Sequence, residues 1–380
     1  MIPDYVDALC SEIEYVGDRF PSPSGRGVTG EEEIHTIFFG GGTPSLLSPK
    51  QFEPILKAIR ANFSLTEDAE ITMEANPGTV SYENLLELRK LGINRISFGV
   101  QSANAEELRM LERAHNFFDV IEAVSSARKA GFDNLNLDLI YGIPEQTLRT
   151  WQITVKRILD LHPEHISAYA LTLEHGTPFG RWSAKGLLPL PDPDLAADMY
   201  EWASETFEAK GYVHYEISNW AKSERACKHN LQYWRGLPYL AFGAGAHGYA
   251  DGYRYSNILR IKTYIDRLTN YGFNNYQFPI TPATVNHHKQ TLQDDMSEFM
   301  MTGLRLTQEG VAADDFQERF GKTMQDVYGK EIEELLKLRL LEQYELPSPN
   351  GTGGRGEGEV LRLTQRGRLL GNQVFMRFID

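Results

Sequence analysis

The feature that most restricts the fold is an alternation. Seven short runs rich in strand formers lie at 34–40, 70–76, 94–100, 134–142, 165–173, 212–218 and 239–245. Segments with helical spacing of apolar residues separate most of them. "SPKQFEPILKAIRANF" opens on Ser48 as N-cap with Pro49 at the first helical position. "SYENLLELRKLG" and "FFDVIEAVSSARKAG" stop on Gly92 and Gly131, and "LRTWQITVKRILDLHP" stops before Pro163. An amphipathic helix from Pro3 to Val16 precedes them all. Strand–helix–strand order at this spacing implies a parallel sheet with crossover helices, and runs this apolar read as covered on both faces. A closed or partial β/α barrel is the leading arrangement. A doubly wound open sheet is the alternative, and alternation alone does not separate the two.

The last third changes character. From Ala283 the pattern is helical through "LQDDMSEFMMTGLRL", "AADDFQERFG" and "MQDVYGKEIEELLKLRLL". "LEQYEL" and "EVLRLT" then flank the Gly-rich "PSPNGTGGRGEG", before a final helix "QRGRLLGNQVFMRFI". Three helices and a hairpin suggest a small winged-helix-like domain. The reading divides the chain into a barrel over 1–245, a connecting segment over 246–282 and the small domain over 283–380. Such domains often bind DNA. The acidic "DD" and "EIEELL" faces favour structural packing here, and a net charge of −14 argues against a broad nucleic-acid or anionic-membrane surface. No apolar run approaches the roughly 20 residues of a membrane span, and the start lacks a signal-peptide pattern. The two cysteines, Cys10 and Cys227, make neither a disulfide framework nor a CxxC spacing, which fits a reduced, cytoplasmic setting.

In parallel β/α folds ligands bind at the carboxyl ends of the strands. Here those ends carry Gly40-Gly41-Gly42-Thr43-Pro44, then Glu74, Asn76 and Pro77, then Gln101 and Ser102, then Asp138 and Tyr141-Gly142, then Tyr169 with Glu174 and His175 beyond it. Each alone reads as a turn or a cap. Together they read as one polar mouth, because carboxylates and amides gathered there must find partners. "GGGTPS" has neither the lysine of a phosphate loop nor the spacing of a dinucleotide fingerprint. A glycine ridge, Glu74 and Asp138 for an ammonium or a ribose diol, and Gln101 with Arg113 for a carboxylate suit an amino-acid-bearing nucleoside.

The motifs "FFGGGTPSLL", "EANPGTV", "NRISFGVQS", "LERAHN", "NLDLIYGIPEQT" and "ISAYALTLEHGTP" closely resemble the radical S-adenosylmethionine proteins related to oxygen-independent coproporphyrinogen oxidase. "YEISNWA" followed by "HNLQYW" resembles the haem-chaperone (HemW) branch of that family, and the likeness runs over nearly the whole chain. The resemblance implies a partial (β/α)6 barrel with a winged-helix-like C-terminal domain. It implies S-adenosylmethionine as cofactor, with Gly41, Gly42 and Thr43 on its methionine part. Glu74, Gln101, Arg113, Asp138, Ala170 and His247 fall at further cofactor-lining positions.

One departure stands out. The family holds a 4Fe–4S cluster on three cysteines of a CxxxCxxC loop after its first barrel strand, and this sequence has no such motif. The opening helix resembles the one that follows that loop. The expectation is therefore a chain beginning mid-unit, without the first strand and cluster loop. The edge of "IHTIFFG" would be exposed, and a cluster would form only with the missing segment restored. The intact cofactor positions favour truncation over a cluster-free homologue.

In "KHNLQYW", His229 and Tyr233 share a helix face, as do Asn230 and Trp234. Taken alone, the stretch reads as core packing, with His229 bonded to a backbone carbonyl. The resemblance adds haem binding by His229, Asn230, Tyr233 and Trp234, with aromatic walls for a porphyrin and an imidazole for its iron. Cys227 is a possible thiolate ligand, though a buried structural cysteine is the plainer reading. The expected function is a haem chaperone that binds haem and passes it to acceptor proteins, membrane-associated ones among them, with a homodimer as the expected assembly. The alternative is an oxygen-independent coproporphyrinogen III oxidase.

Overall fold

The computed structural model describes residues 1–20, 33–173, 181, 185–186, 192–345 and 359–379. Glu174, His175 and the Gly-rich 346–358 stretch lie outside the described residues. Helix α1 (Ile2–Gly17) leads into β1 (Ile34–Phe39), α2 (Pro49–Asn62), β2 (Leu65–Ala75), α3 (Tyr82–Lys90), β3 (Arg95–Gln101), α4 (Ala105–Met110), α5 (Phe117–Lys129), β4 (Leu135–Tyr141), α6 (Leu148–Leu159) and β5 (His165–Ala170). Local signals act where expected. The Ser48 backbone N–H donates to Gln51 Oε1 at 2.8 Å at the start of α2, and α3 and α5 end just before Gly92 and Gly131.

The five strands pair in parallel in the order β1-β2-β3-β4-β5. A doubly wound sheet reverses direction partway across. This sheet advances one strand at a time without reversal, which selects barrel winding. It does not close. β6 (Val213–Glu216) and β7 (Asn219–Ala221) finish it as an antiparallel hairpin, in the order β5-β7-β6, and β1 stands at the opposite edge.

Three expectations about the sheet need correction. The strands are not apolar on both faces. Ile71, Met73, Ile96, Phe98, Val100, Leu135, Leu137, Leu139 and Ile166 pack in one buried core with residues of α2, α3, α5 and α6. The alternate residues are Glu70, Thr72 and Glu74, then Arg95, Ser97 and Gly99, then Asn136 and Asp138, then His165, Ser167 and Tyr169, and they occupy the other, concave face. The 212–218 run is not a parallel barrel strand but half of the β6–β7 hairpin. The 239–245 run is not a strand at all. Only Tyr239 makes a bridge, to Tyr249, and Gly243 and Gly245 take φ of +97° and +74°, outside the strand range.

Residues 246–289 hold β8 (His247–Ala250), β9 (Tyr253–Asn257), the helix Ile261–Asn270 and β10 (Thr284–Lys289), with the strands in one antiparallel sheet. This region is tied to α1 by Glu12, which is fully buried. Its carboxylate accepts from Tyr264 Oη (2.6 Å), Gly243 N (2.9 Å), Asn257 Nδ2 (2.9 Å) and Thr281 Oγ1 (2.9 Å). The C-terminal unit has the helices Leu292–Gly303, Ala313–Phe320 and Met324–Lys337 around their own apolar core, with β12 (Leu341–Glu345) and β13 (Glu359–Leu363) as the wing. A short β11 (Val311–Ala312), too brief to read from the sequence, adds to β13. The expected continuous final helix is broken into Gln365–Leu369, Gly371–Phe375 and a turn at Met376–Phe378. No helix among the described residues is long and apolar enough to cross a membrane.

Candidate functional site

A cavity of about 610 Å³ opens at the carboxyl ends of β1 to β5. Gly41, Gly42, Thr43, Glu74, Gln101, Arg113, Asp138 and Ala170 all line it. These are eight of the nine cofactor-lining positions expected from the sequence. The ninth, His247, is exposed at the start of β8 and does not line the cavity. Ser102 and Tyr141 also turn away. Ser102 donates to the buried Glu107, and Tyr141 packs toward Trp151 on the helix-covered face.

Each lining group has a local cause. After β1 the chain turns at Gly41, whose φ of +110° disfavours any side chain. The turn points the Gly41 N–H at Glu74 Oε2, 3.2 Å away, and an added Cβ on Gly41 or Gly42 would meet open space. The β3–β4 register shifts between Gly99 and Gln101, a bulge at the cavity rim. Gln101 takes φ of +68°, a left-handed conformation that costs a non-glycine residue about 1 kcal/mol or more. The bulge folds the Gln101 side chain back over Gly99, where an added Cβ would stand 2.9 Å from Gln101 Nε2.

The two carboxylates of the cavity are both pushed up by burial but differ in their partners. Asp138 is well supplied with donors: Ser97 Oγ donates to Oδ2 at 2.7 Å and Asn136 Nδ2 to Oδ1 at 2.8 Å. Among the described residues Glu74 accepts only the Gly41 N–H. Burial, and then the Asp138 charge, push the Glu74 carboxyl up to about 7. Arg113 is half-buried; burial lowers its affinity for a proton, and its Nε has no hydrogen-bond partner among the described residues. An orphaned guanidinium donor at a cavity wall suits a carboxylate ligand.

Below the cavity the concave face continues as a polar network that sequence reasoning missed. Asn136 Oδ1 bonds His165 Nδ1 at 2.7 Å, and His165 Nε2 bonds Tyr215 Oη at 2.8 Å. Arg95 is fully buried and faces Glu70 at 4.0 Å. Glu70 Oε1 in turn accepts from Cys227 Sγ (3.4 Å) and the His229 backbone N–H (3.2 Å). The available signal was the period-two pattern, as in "NLNLDL".

The helix Lys228–Trp234 lies against β1. His229 stacks on Phe38 with ring centroids 5.1 Å apart. Its Nδ1 bonds Thr36 Oγ1 at 2.9 Å and its Nε2 bonds Tyr233 Oη at 2.8 Å. The expected pairing of His229 with Tyr233 on one face is present, but the partner of His229 is side-chain hydroxyls rather than a backbone carbonyl. On the opposite face Trp234 lies under the Arg305 guanidinium at 4.3 Å, and its Nε1 is buried without a partner among the described residues. Cys227 is fully buried, and burial pushes its thiol up to about 12, so it is a protonated structural thiol. Cys10 is half-buried on α1. Two such cysteines do not fit a cluster held by three neighbouring thiolates.

The Radical SAM superfamily pattern matches residues 28–158, and the HemN C-terminal domain pattern matches residues 290–345. The heme chaperone HemW of Bacillus subtilis (strain 168) is 37% identical over 352 residues, 92% of this chain and 87% of that protein. The heme chaperone HemW of Lactococcus lactis subsp. lactis (strain IL1403) is 35% identical, covering 92% and 85% respectively. The structure of coproporphyrinogen III oxidase (HemN) from Escherichia coli superposes with a TM-score of 0.76 over 99% of this chain and 83% of that one, at 22% identity, which speaks for the fold alone. Identity at this level over nine tenths of the chain, on a HemN-like barrel with a HemN-type C-terminal unit, places the chain in the HemW heme chaperone family.

Proposed function

We propose that this chain is a haem chaperone that binds haem as cargo, passes it to haem-accepting proteins, and holds S-adenosylmethionine in the barrel cavity. The observation that carries the reading is the similarity to heme chaperones along almost the full length of both chains.

The cavity residues fit S-adenosylmethionine. Arg113, with its orphaned Nε, would take the methionine carboxylate. Glu74, with a single donor, would take a cationic group. The open ridge at Gly41–Thr43 admits a chain without side-chain obstruction. Asp138, Gln101 and Ala170 would line the nucleoside end. When bound, the cofactor supplies a sulfonium-activated carbon–sulfur bond. A cluster on cysteines of this chain does not fit, and no step is assigned to one.

For haem, the candidate groups are the His229 imidazole and the Tyr233 ring, which share one face of the helix; Asn230 and Trp234 are further candidates, with Trp234 on the opposite face under Arg305. The Thr36 bond to Nδ1 leaves Nε2 as the ring nitrogen for iron once Tyr233 Oη withdraws. Titration of the purified chain with haem should give a Soret band that His229→Ala removes or shifts. A chain that takes up no haem would overturn the chaperone reading. Calorimetry with S-adenosylmethionine should show binding that Arg113→Ala weakens at least tenfold.

A further inference from the structure

His229 is held from two neighbouring strands at once. Thr36 on β1 and Glu70 on β2 stand side by side in the parallel register. Thr36 Oγ1 bonds the His229 ring at Nδ1, 2.9 Å away. Glu70 Oε1 accepts the His229 backbone N–H at 3.2 Å and the Cys227 thiol at 3.4 Å. Phe38, two residues along β1 from Thr36, sets the plane of the ring by stacking on it. Ring nitrogen, ring plane and main chain are therefore all referred to the same sheet.

Glu70 is buried beside Arg95, which is itself only 2% exposed. The pair is poorly made for stability. A strong arginine–carboxylate pair is bidentate, with distances of about 2.8 Å. Here Arg95 Nε stands 4.0 Å from Glu70 Oε2 and has no hydrogen-bond partner among the described residues. Two charges taken out of water for so loose a contact gain little net stability. The carboxylate instead turns its other oxygen to the chain at Cys227 and His229. The exposed Lys228–Asp68 pair beside it, at 2.6 Å, holds a side chain rather than the His229 main chain.

We propose that Glu70 is a positioning residue for haem capture: with Thr36 it fixes where His229 presents Nε2, and Arg95 holds the carboxylate in place. The inference rests on the reading of His229 as the ligand of the haem iron. Tyr233 Oη leaves Nε2 when iron binds there. The contacts to Thr36, Phe38 and Glu70 then keep the imidazole aimed, so capture needs no reordering of the ligand.

The test is haem titration of the full chain, read by absorption and by electron paramagnetic resonance of the ferric form. The native chain should give one Soret band and one set of resonances. Glu70→Ala should bind haem at least tenfold more weakly, the range for loss of a group that orients a metal ligand. Its Soret band should shift, with more than one ferric species present. Added imidazole should restore a native-like band, because the pocket is intact and only its own ligand has lost its aim. Glu70→Gln keeps an acceptor for the His229 N–H and should keep native affinity and spectra, as should Asp68→Ala. Should Glu70→Ala fail to fold, Glu70→Met combined with Arg95→Met removes both buried charges together, a change that buried pairs often tolerate. That double variant should show the same haem defect.

Native affinity and spectra in a folded variant without Glu70 overturn the inference and leave the haem reading standing. So does weaker binding with an unchanged spectrum and no rescue by imidazole, which marks a structural role alone. No haem uptake by the native chain, or uptake that His229→Ala leaves unaltered, overturns the haem reading itself.

Discussion

Gly99 and Gln101 occupy the same space by turns: the Gln101 amide rests where a side chain on Gly99 would project, 2.9 Å from an ideal Cβ. The clash is with the free end of a flexible side chain, so the fold can absorb it by moving the amide. Gly99→Ala should therefore leave the melting temperature within a few degrees of the native value. Affinity for S-adenosylmethionine should fall about tenfold, the ~1.4 kcal/mol typical of a displaced polar contact. Unchanged affinity by calorimetry would separate Gln101 from the ligand.

Glu74 makes the unliganded protein less stable at high pH. Its folded value near 7 lies above the ordinary carboxylate value, so the folded state binds more protons than the unfolded state between them. That stabilisation is complete below about pH 4.5 and is lost as pH rises through 7. Glu74→Gln should raise stability by about 1–2 kcal/mol at pH 8, a figure reduced for partial solvent screening, with little change at pH 5. Urea denaturation at the two pH values checks this. Equal effects at both would sink it.

Buried histidines act in the opposite direction. Burial holds His214 down to about 3 and His165 well below its ordinary value. Their contribution is complete above about pH 6.5 and is lost as pH falls toward the folded values, because only the unfolded chain takes up their protons. His214 stacks on Trp220 with centroids 4.3 Å apart. His214→Gln should cost stability at pH 7 yet flatten the acid limb by roughly 1.4 kcal/mol per pH unit near pH 5. The slope of unfolding free energy against pH is the readout.

Glu12 is the acceptor for four separate donors from the 243–281 region. Glu12→Ala leaves those donors buried without a partner and should cost about 3 kcal/mol or more. Chemical denaturation measures the loss. A destabilisation under 1 kcal/mol would mean that water replaces the carboxylate.

Much of the cavity was legible because its residues sit at strand ends, which composition marks and chain order brings together. Glu74, Gln101 and Asp138 needed only the parallel sheet. What escaped was two-dimensional. The pairing of Asn136 with His165 spans 29 positions, and no local pattern joins them. Reading "EITMEA" or "NLNLDL" as simply apolar hid the alternate polar residues that make the concave face. The 239–245 run failed for a different reason. Its apolar content matches a strand, but Gly243 and Gly245 turn the backbone out of it, and Gly243 comes within reach of the Tyr5 hydroxyl. His247, placed after that supposed strand, went astray with it.

The inward and outward rows of the sheet have a consequence for how variation in this chain will look. Along β2 and β4 the even-numbered positions face the concave side, and along β3 and β5 the odd-numbered ones do. Substitutions at one parity meet the helical core and will show as lost folding. Those at the other parity meet the cavity and its polar floor and will show first as altered ligand response. A scan of single substitutions should therefore display two interleaved phenotypes, changing at every residue and inverting in phase from each strand to the next.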